Sequence, residues 1–315
     1  MARETLRISL PYMPRTGGGS SFLSLLQLEL ENRGQYSSSL DHCHFAVINS
    51  HHWFRNILSL LRLKYQHGLR VVIRIDGPLL VYRRTFHSYI LDLAIHTFGF
   101  FVAEAYIYQS FWSRSRNHLF YPWSLLKKNA VIYNATQLDS SFLPEFSKRT
   151  NTFVFLSNSD NVYKGFYDFL RLAEYFSNIP GFSDLEFKSI GRLPKCFTGS
   201  APNNFTHLGL LPKESVRDIF LASRYYLHAS LYESCSNALI ESVKCGLVPF
   251  VRNSSSNPEI IGDSRLLYDS HDELVRKFLS VYFQGCQGLS DLGFHYSLPS
   301  MKQCCDHYLS FCQSL

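Results

Sequence analysis

The chain has no block of five or six consecutive basic residues, no Cys-x-x-Cys pair, no Asp-x-Asp doublet and no Gly-x-Gly-x-x-Gly fingerprint. Each absence removes a class of function. Without a basic block, no nucleic-acid partner is expected. Cys43, Cys196, Cys235, Cys245, Cys286, Cys304, Cys305 and Cys312 have no histidine partner at zinc-like spacing. They read as reduced, buried thiols of an intracellular protein. The glycines of Arg15-Thr16-Gly17-Gly18-Gly19-Ser20-Ser21 run together, and no acidic residue ends a clear second strand, which disfavours a dehydrogenase. Neither a repeat of ~20–50 residues nor a low-complexity tract is present.

A membrane-spanning run is also missing. The most apolar stretch, Tyr89 to Tyr108 (YILDLAIHTFGFFVAEAYIY), contains Asp92, His96 and Glu104, which a spanning helix would carry into hydrocarbon. It reads as a buried helix followed by a strand. The opening MARETLRISLPYM has charges but no apolar region leading to a small-residue cleavage site, so no secretory signal is expected. The expected location is cytoplasmic, with peripheral contact to the inner face of the membrane left open.

What is present is a globular composition, 46% hydrophobic and 18% charged. A length of 315 residues exceeds the point, about 250–300 residues, at which single cores stop growing, so two domains are expected. The formal charge of +6 favours phosphate-bearing small molecules, anionic membrane surfaces or nucleic acid without choosing among them.

Short apolar runs alternate with segments of helical period. RISL, HFAVIN (44–49), LRVVIRI (69–75), AEAYIYQ (103–109) and NAVIYN (129–134) read as strands, and Phe22 to Glu31 and Trp53 to Gln66 as amphipathic helices. A polar stretch from Asn134 to Asn151 reads as a linker. The alternation then resumes with TFVFLS (152–157), a helix from Lys164 to Phe176, LEFKSIG (185–191), FTHLG (205–209), a helix near Pro212 to Ala222, YYLHAS (225–230), a helix at Asn237, LVPFV (247–251) and RLLY (265–268). The expectation is an α/β protein of two Rossmann-like parallel-sheet domains facing a cleft.

The chemistry concentrates in LYESCSNALIESVKCG, Leu231 to Gly246. A helix N-terminus is a ready anion site, because its first amides lack intrahelical partners and the peptide dipoles leave about +0.5 charge there. Ser234, Cys235, Ser236 and Asn237 follow a strand directly and place small side chains where a phosphate would meet that end. Glu233 precedes the helix and Glu241 lies one turn in; two carboxylates so spaced suit the hydroxyls of two polyols flanking a phosphate, as in a nucleotide-sugar. Taken singly, Glu241 also reads as a solvated helix residue and Glu233 as an electrostatic cap. Lys164-Gly165 opens the helix after TFVFLS, and Asn257-Pro258-Glu259 opens another, with Pro at a first-turn position.

These residues carry a resemblance. LYESCSNALIESVKCGLVPFV, NPEIIGD, YKGF and the IGRLP of Ile190 to Pro194 resemble, over roughly Thr152 to Asp263, the C-terminal domain of retaining GT-B glycosyltransferases of family 4. Glu233 and Glu241 fit that family's Glu-x7-Glu spacing. The resemblance implies that Glu233 and Lys164 are catalytic, with Glu233 on the donor hexose and Lys164 on the phosphates. It places Glu241 on the ribose and the amides around Ser234, Ser236 and Asn237 on the diphosphate. The family's Arg about five residues before the Lys is absent from Ser157-Asn158-Ser159-Asp160-Asn161; Asn158 stands in that segment, and Arg192 is the candidate to supply the charge. In the first half, Gly18 and Gly19 resemble the GT-B loop whose bare backbone faces the transferred group. Arg74 and Asp76 of RIDGP, at a strand end, are expected on the acceptor side. YQSFWSRS and VIYNATQ resemble later strand ends of the same domain. This half is short for the family, as if a strand were missing after the Phe22 helix. His87, His42, His44, His51 and His52 are candidate acid/base or acceptor contacts.

The expected organisation is a shortened acceptor-side domain at residues 1–148, a nucleotide-sugar domain at 149–297 and a helix at 298–315 crossing back to the first domain. The implied reaction transfers a sugar from a nucleotide-diphosphate-sugar to a hydroxyl of a glycan, lipid-linked or small-molecule acceptor, in cell-surface polysaccharide or glycoconjugate synthesis. No metal or other cofactor is called for, since Lys164 and the helix end neutralise the leaving diphosphate. A nucleotide-sugar epimerase and a non-catalytic nucleotide-sugar-binding scaffold remain alternatives.

Overall fold

A computed structural model describes residues 6–14, 18–49, 56–137, 143–284 and 298–315. The chain divides into two compact units, Met1–Gln137 with Leu298–Leu315, and Leu138–Ser297.

The first unit is a parallel five-stranded sheet in sequential order, β1 (Ile8–Ser9), β2 (Phe45–Asn49), β3 (Arg70–Ile75), β4 (Ala105–Tyr108) and β5 (Lys128–Val131). Its helices are α1 (Gly18–Asn32), α2 (Ile57–His67), α3 (Leu79–Arg83), α4 (Phe86–Val102) and α5 (Phe111–Phe120). Alternation within the strands explains the two-sided cover. Phe45 and Val47 join one buried cluster with Phe22 and Leu26 of α1, whereas Ala46 and Ile48 join another with Leu60 of α2 and Ile95 of α4.

The second unit is a parallel six-stranded sheet containing β6 (Thr150–Ser157), β7 (Glu186–Gly191), β8 (Phe205–His207), β9 (Ser223–His228), β10 (Val248–Arg252) and β11 (Leu267–Tyr268), ordered β11-β10-β9-β6-β7-β8. Helices α6 (Phe166–Ser177), α7 (Lys213–Ala222), α8 (Asn237–Lys244), α9 (Asn257–Ile261) and α10 (His271–Phe283) alternate with them. One face is aromatic. Phe153 stacks on Phe187 with ring centroids 5.3 Å apart and meets Tyr225 at 5.0 Å and Phe278 of α10 at 4.9 Å. The stretch before β6 is tied to this unit by two guanidiniums: Arg149, which donates to Pro144 O at 3.2 Å, also donates to Cys245 O at 2.8 Å, and Arg224 Nη2 donates to Ser147 O at 3.0 Å.

Two expectations need adjusting. The helix in Tyr89 to Tyr108 exists, as α4 followed by β4, but it is buried on one side only: Ser88, Asp92, Ile95, His96, Gly99 and Val102 are buried while Phe86, Ile90, Phe98 and Phe101 are exposed. The helix expected from Lys164 begins at Phe166, because Gly165 breaks the backbone with φ +84°.

The closing helix α11 (Met301–Gln313) completes the first unit. Ser300 and Gln303 form a reciprocal capping box at its start. Met301, Cys304, Cys305, Tyr308 and Cys312 enter the cluster shared with α1, and Arg33, just after α1, donates to Asp306 at 2.5 Å and to Lys302 O at 3.0 Å. The seven described cysteines are free thiols, five of them buried.

Tyr308 is fully buried with its ring 6.2 Å from that of Phe22. Tyr308→Ala is expected to lower the stability of the first unit by about 3–5 kcal/mol while leaving the second unit's transition in place. Denaturant unfolding followed by two probes, one per unit, checks this.

Candidate functional site

At the carboxyl edge of the second sheet, three loops are stitched together. After β6, Ser157 Oγ donates to Ser159 O at 2.9 Å, Asn161 Oδ1 accepts from Tyr163 N at 2.9 Å, and a single 3-10 turn, Val162–Lys164, leads to Gly165. A Cβ on Gly165 would lie 2.3 Å from Ala229 Cβ, so only glycine lets this turn settle against the end of β9. From there, Leu231 N donates to Tyr163 O at 2.9 Å. The loop after β10 closes the ring: Ser254 Oγ donates to Leu231 O at 2.7 Å and Ser255 Oγ accepts from Glu233 N at 2.9 Å.

This stitching brings Lys164 Nζ to 2.5 Å from Glu233 Oε1, both side chains part-buried. Burial presses the Glu233 carboxyl upward, but the Lys164 ammonium and His228 outweigh it and hold its pKa below the ordinary value. His228, at the end of β9, is pushed down to about 4, chiefly by burial and against the pull of Glu233. Ser256 Oγ is buried without a hydrogen-bond partner among the described residues, whereas the Ser230 hydroxyl is turned to Glu233 and Asn257 to His228. Buried polar atoms are ordinarily satisfied, and these groups around one ion pair suit a polar ligand or ordered water. Asn257 is itself fixed, its Nδ2 donating to Ser230 O at 3.0 Å and Arg252 O at 3.1 Å.

Glu233 is followed by the N-terminus of α8. Ser236 caps it, Oγ accepting from Leu239 N at 3.3 Å, and Ser234, Cys235 and Ser236 are buried. Asn237 is the first helical residue. Glu241, one turn in, is half-buried, and burial raises its pKa against the opposing charge of Lys213. Lys164, Glu233, Ser234, Ser236, Asn237 and Glu241 thus share one sheet edge. His228, Ser230 and Ser255 escaped the sequence reading; their signal was position, at the end of YYLHAS and in the serine run before Asn257.

The other residues fall differently. Asn158 is exposed in the loop after β6, and Arg192 N donates to Ser157 O at 2.8 Å, so Arg192 starts from beside that loop with its side chain exposed. Gly18 and Gly19 are not loop residues; they form the first turn of α1, Gly19 lying against Pro14 and Asn49. Arg15, Thr16, Gly17, His51, His52 and Cys286 lie outside the described residues. Arg74 is completely buried: Nη1 donates to Asn49 at 2.6 Å, Nη2 to Asn134 at 2.7 Å, and the guanidinium sits 4.8 Å from the Phe22 ring centroid. It therefore ties strand ends together, and of the expected acceptor pair only Asp76, bonded to Gln109, is partly exposed. His44 Nδ1 accepts from Arg7 N at 3.1 Å and is structural; His42 and His87 are exposed. Among the described residues no group of three or more His, Cys, Asp or Glu is arranged to hold a metal ion, and no helix is long and apolar enough to cross a membrane.

The whole chain is similar to solved structures. Anabaena HepE in complex with UDP and glucose matches with a TM-score of 0.72 at 10% identity, covering 99% of this chain and 100% of that one. An alpha-glucosyltransferase in complex with UDP and a 13-mer DNA matches with a TM-score of 0.69 at 12% identity, covering 98% and 99%. The fold is that of the GT-B glycosyltransferases. No family model matches the chain. A local match reaches the Escherichia coli O-antigen chain mannosyltransferase B, 32% identical over 66 residues, which is 21% of this chain and 17% of that protein.

Two outcomes follow from the geometry. Gly165→Ala is expected to destabilise the second unit by about 1–3 kcal/mol, since a positive φ and a blocked approach act together; its chemical denaturation midpoint reads this. His228 has a folded pKa of about 4 against an ordinary 6.5, so the unfolded chain binds the extra proton first. Stability is therefore complete above pH 6.5 and falls as pH drops towards 4, by on the order of 3 kcal/mol. Glu233, whose pKa is lowered, adds a further loss below its ordinary 4.5. His228→Asn should reduce the second unit's slope between pH 6.5 and 4, leaving the part contributed by His271, which burial also pushes down.

Proposed function

We propose that the protein is a retaining, family 4-like glycosyltransferase that moves a hexose from a nucleotide-diphosphate-sugar to a hydroxyl acceptor. The observation that carries this reading is the Lys164–Glu233 pair beside the amino end of α8, with Glu241 a turn further in. Those groups suit the hydroxyls of a sugar, the negative charge of a diphosphate and the hydroxyls of a ribose in that order. The uridine diphosphate in the two similar structures supports a UDP-sugar donor, and the mannosyltransferase match supports a hexosyl group and a polysaccharide or lipid-linked acceptor.

In the proposed reaction the bond from the sugar's anomeric carbon to the diphosphate oxygen breaks. The acceptor hydroxyl oxygen bonds to that carbon from the same face, and its proton passes to the leaving phosphate. Lys164 and the first amides of α8 take up the developing negative charge. A diphosphate draws the ammonium off Glu233, and the freed carboxylate then accepts from sugar hydroxyls. Glu241 holds the ribose. Arg192, close to the Ser157 loop, supplies the phosphate-side charge that Asn158 lacks, and Asp76 is the acceptor-side carboxylate. The reading calls on no metal, and turnover is expected to survive chelation with EDTA.

A second reading, donor binding without transfer, is favoured by the Ser157–Asn161 segment, which holds no Arg where the family carries one. Incubation with UDP-, GDP- and ADP-sugars, with and without crude acceptor, separates the two by released nucleotide. Lys164→Ala is expected to cut turnover at least about 100-fold with little change in melting temperature; equal loss of both would make the pair purely structural. Glu241→Ala should weaken donor binding roughly tenfold by calorimetry, and unchanged affinity removes its ribose role.

A further inference from the structure

The helix α4 is inside out. On a helical projection its polar residues Ser88, Asp92 and His96 fall on the buried side, whereas Phe86, Ile90, Phe98 and Phe101 fall on the solvent side. The inward polar groups are placed: Asp92 accepts from Leu80 N at 2.9 Å and His96 stacks on Tyr121 at 4.1 Å between ring centroids. Of the outward residues Phe86 is 79% and Phe101 63% exposed, and Ile90 is exposed between them. From Phe86 to Phe101 the ridge runs ~22 Å at 1.5 Å per residue. Tyr121 leads into the turn Pro122–Leu126, where Leu126 is 78% exposed.

The chain segment that carries this ridge is predominantly basic. Between Leu79 and Lys128 the basic residues are Arg83, Arg84, Arg114, Arg116, Lys127 and Lys128, and the acidic ones only Asp92 and Glu104. Asp92 is buried, and Glu104 is already held by Lys64 at 2.8 Å. Arg83 and Arg84 flank the amino end of the ridge; Lys127, with its ammonium 4.7 Å from the Phe100 ring centroid, flanks the other.

We propose that the α4 face docks in the interface of an anionic membrane, Phe86, Ile90 and Phe101 entering the acyl boundary and the flanking Arg and Lys residues meeting lipid phosphates. An apolar ridge with cations at its margins is the pattern of a segment that lies in the interface plane. A second copy of the chain fits poorly, because a two-fold contact would bring the same cations together with no free carboxylate to offset them. The inference stands apart from the donor reading, since none of these residues belongs to the second unit.

The test is co-sedimentation of the full chain with sucrose-loaded vesicles of phosphatidylglycerol and phosphatidylcholine, against phosphatidylcholine alone. Binding is expected to the anionic vesicles, at least tenfold weaker without phosphatidylglycerol and in high salt. The double variant Phe86→Ser, Phe101→Ser and, separately, Arg83→Gln with Arg84→Gln should each reduce it at least tenfold; Phe86 and Phe101 are exposed, so the first variant should keep the wild-type melting temperature, whereas Arg83 also acts on the Asp92 carboxylate. Failure to sediment with anionic vesicles overturns the proposal. So does undiminished binding by the Phe variant, or a dimer in light scattering that the Phe variant dissolves, which would give the face to a second copy.

Discussion

The second unit's site depends on one steric fact, the contact of Gly165 with the end of β9 at Ala229. Because no side chain intervenes, the turn carrying Lys164 settles directly onto the strand that delivers His228 and the Glu233 loop. The ion pair, the depressed carboxyl of Glu233 and the neutral His228 are consequences of that approach. A parallel sheet gathers such loops at one edge by construction, since every crossover returns to begin the next strand at the opposite end. The sequence of small residues then decides how near they come.

The first unit uses the same topology for another purpose. Its strand ends converge on a guanidinium: Asn49 at the end of β2, Arg74 in β3 and Asp76 just after it, Gln109 after β4 and Asn134 after β5 form one polar network. A buried Arg needs partners for its donors, and here two neutral amides, Asn49 and Asn134, each take one while the Asp76 carboxylate lies 3.5 Å from Nη1. The result is a rigid edge with a single partly exposed carboxylate, Asp76, at its rim.

Much of this was legible in the sequence. The strands were readable because parallel strands buried on both faces make near-continuous apolar runs, and Glu233, Ser236 and Glu241 were readable because a helix start after a strand has few local alternatives. The fold therefore followed from periodicity. Distance in space did not. Nothing local distinguishes Arg74, which is buried, from Arg192, which is exposed, and YYLHAS hides His228 inside an ordinary strand pattern. The break at Gly165 was also hidden, since a glycine near a helix start reads as permissive until the contact with Ala229, some sixty residues on, is known. The α4 segment shows the same limit: an apolar run reads as core, and only the inward Asp92 and His96 reveal which side faces out.

The closing helix has a consequence for how the chain is made. The first unit is discontinuous, with all of residues 138–297 inserted before α11 supplies Tyr308 and its buried cysteines. During synthesis the amino-terminal sheet therefore waits, the part of one face that α11 shares with α1 uncovered, until the entire second unit has emerged. The second unit, contiguous in sequence, needs no such delay. The order of assembly runs opposite to the order of translation, and the first half of the chain is the part that most needs protection from premature association while α11 is still to come.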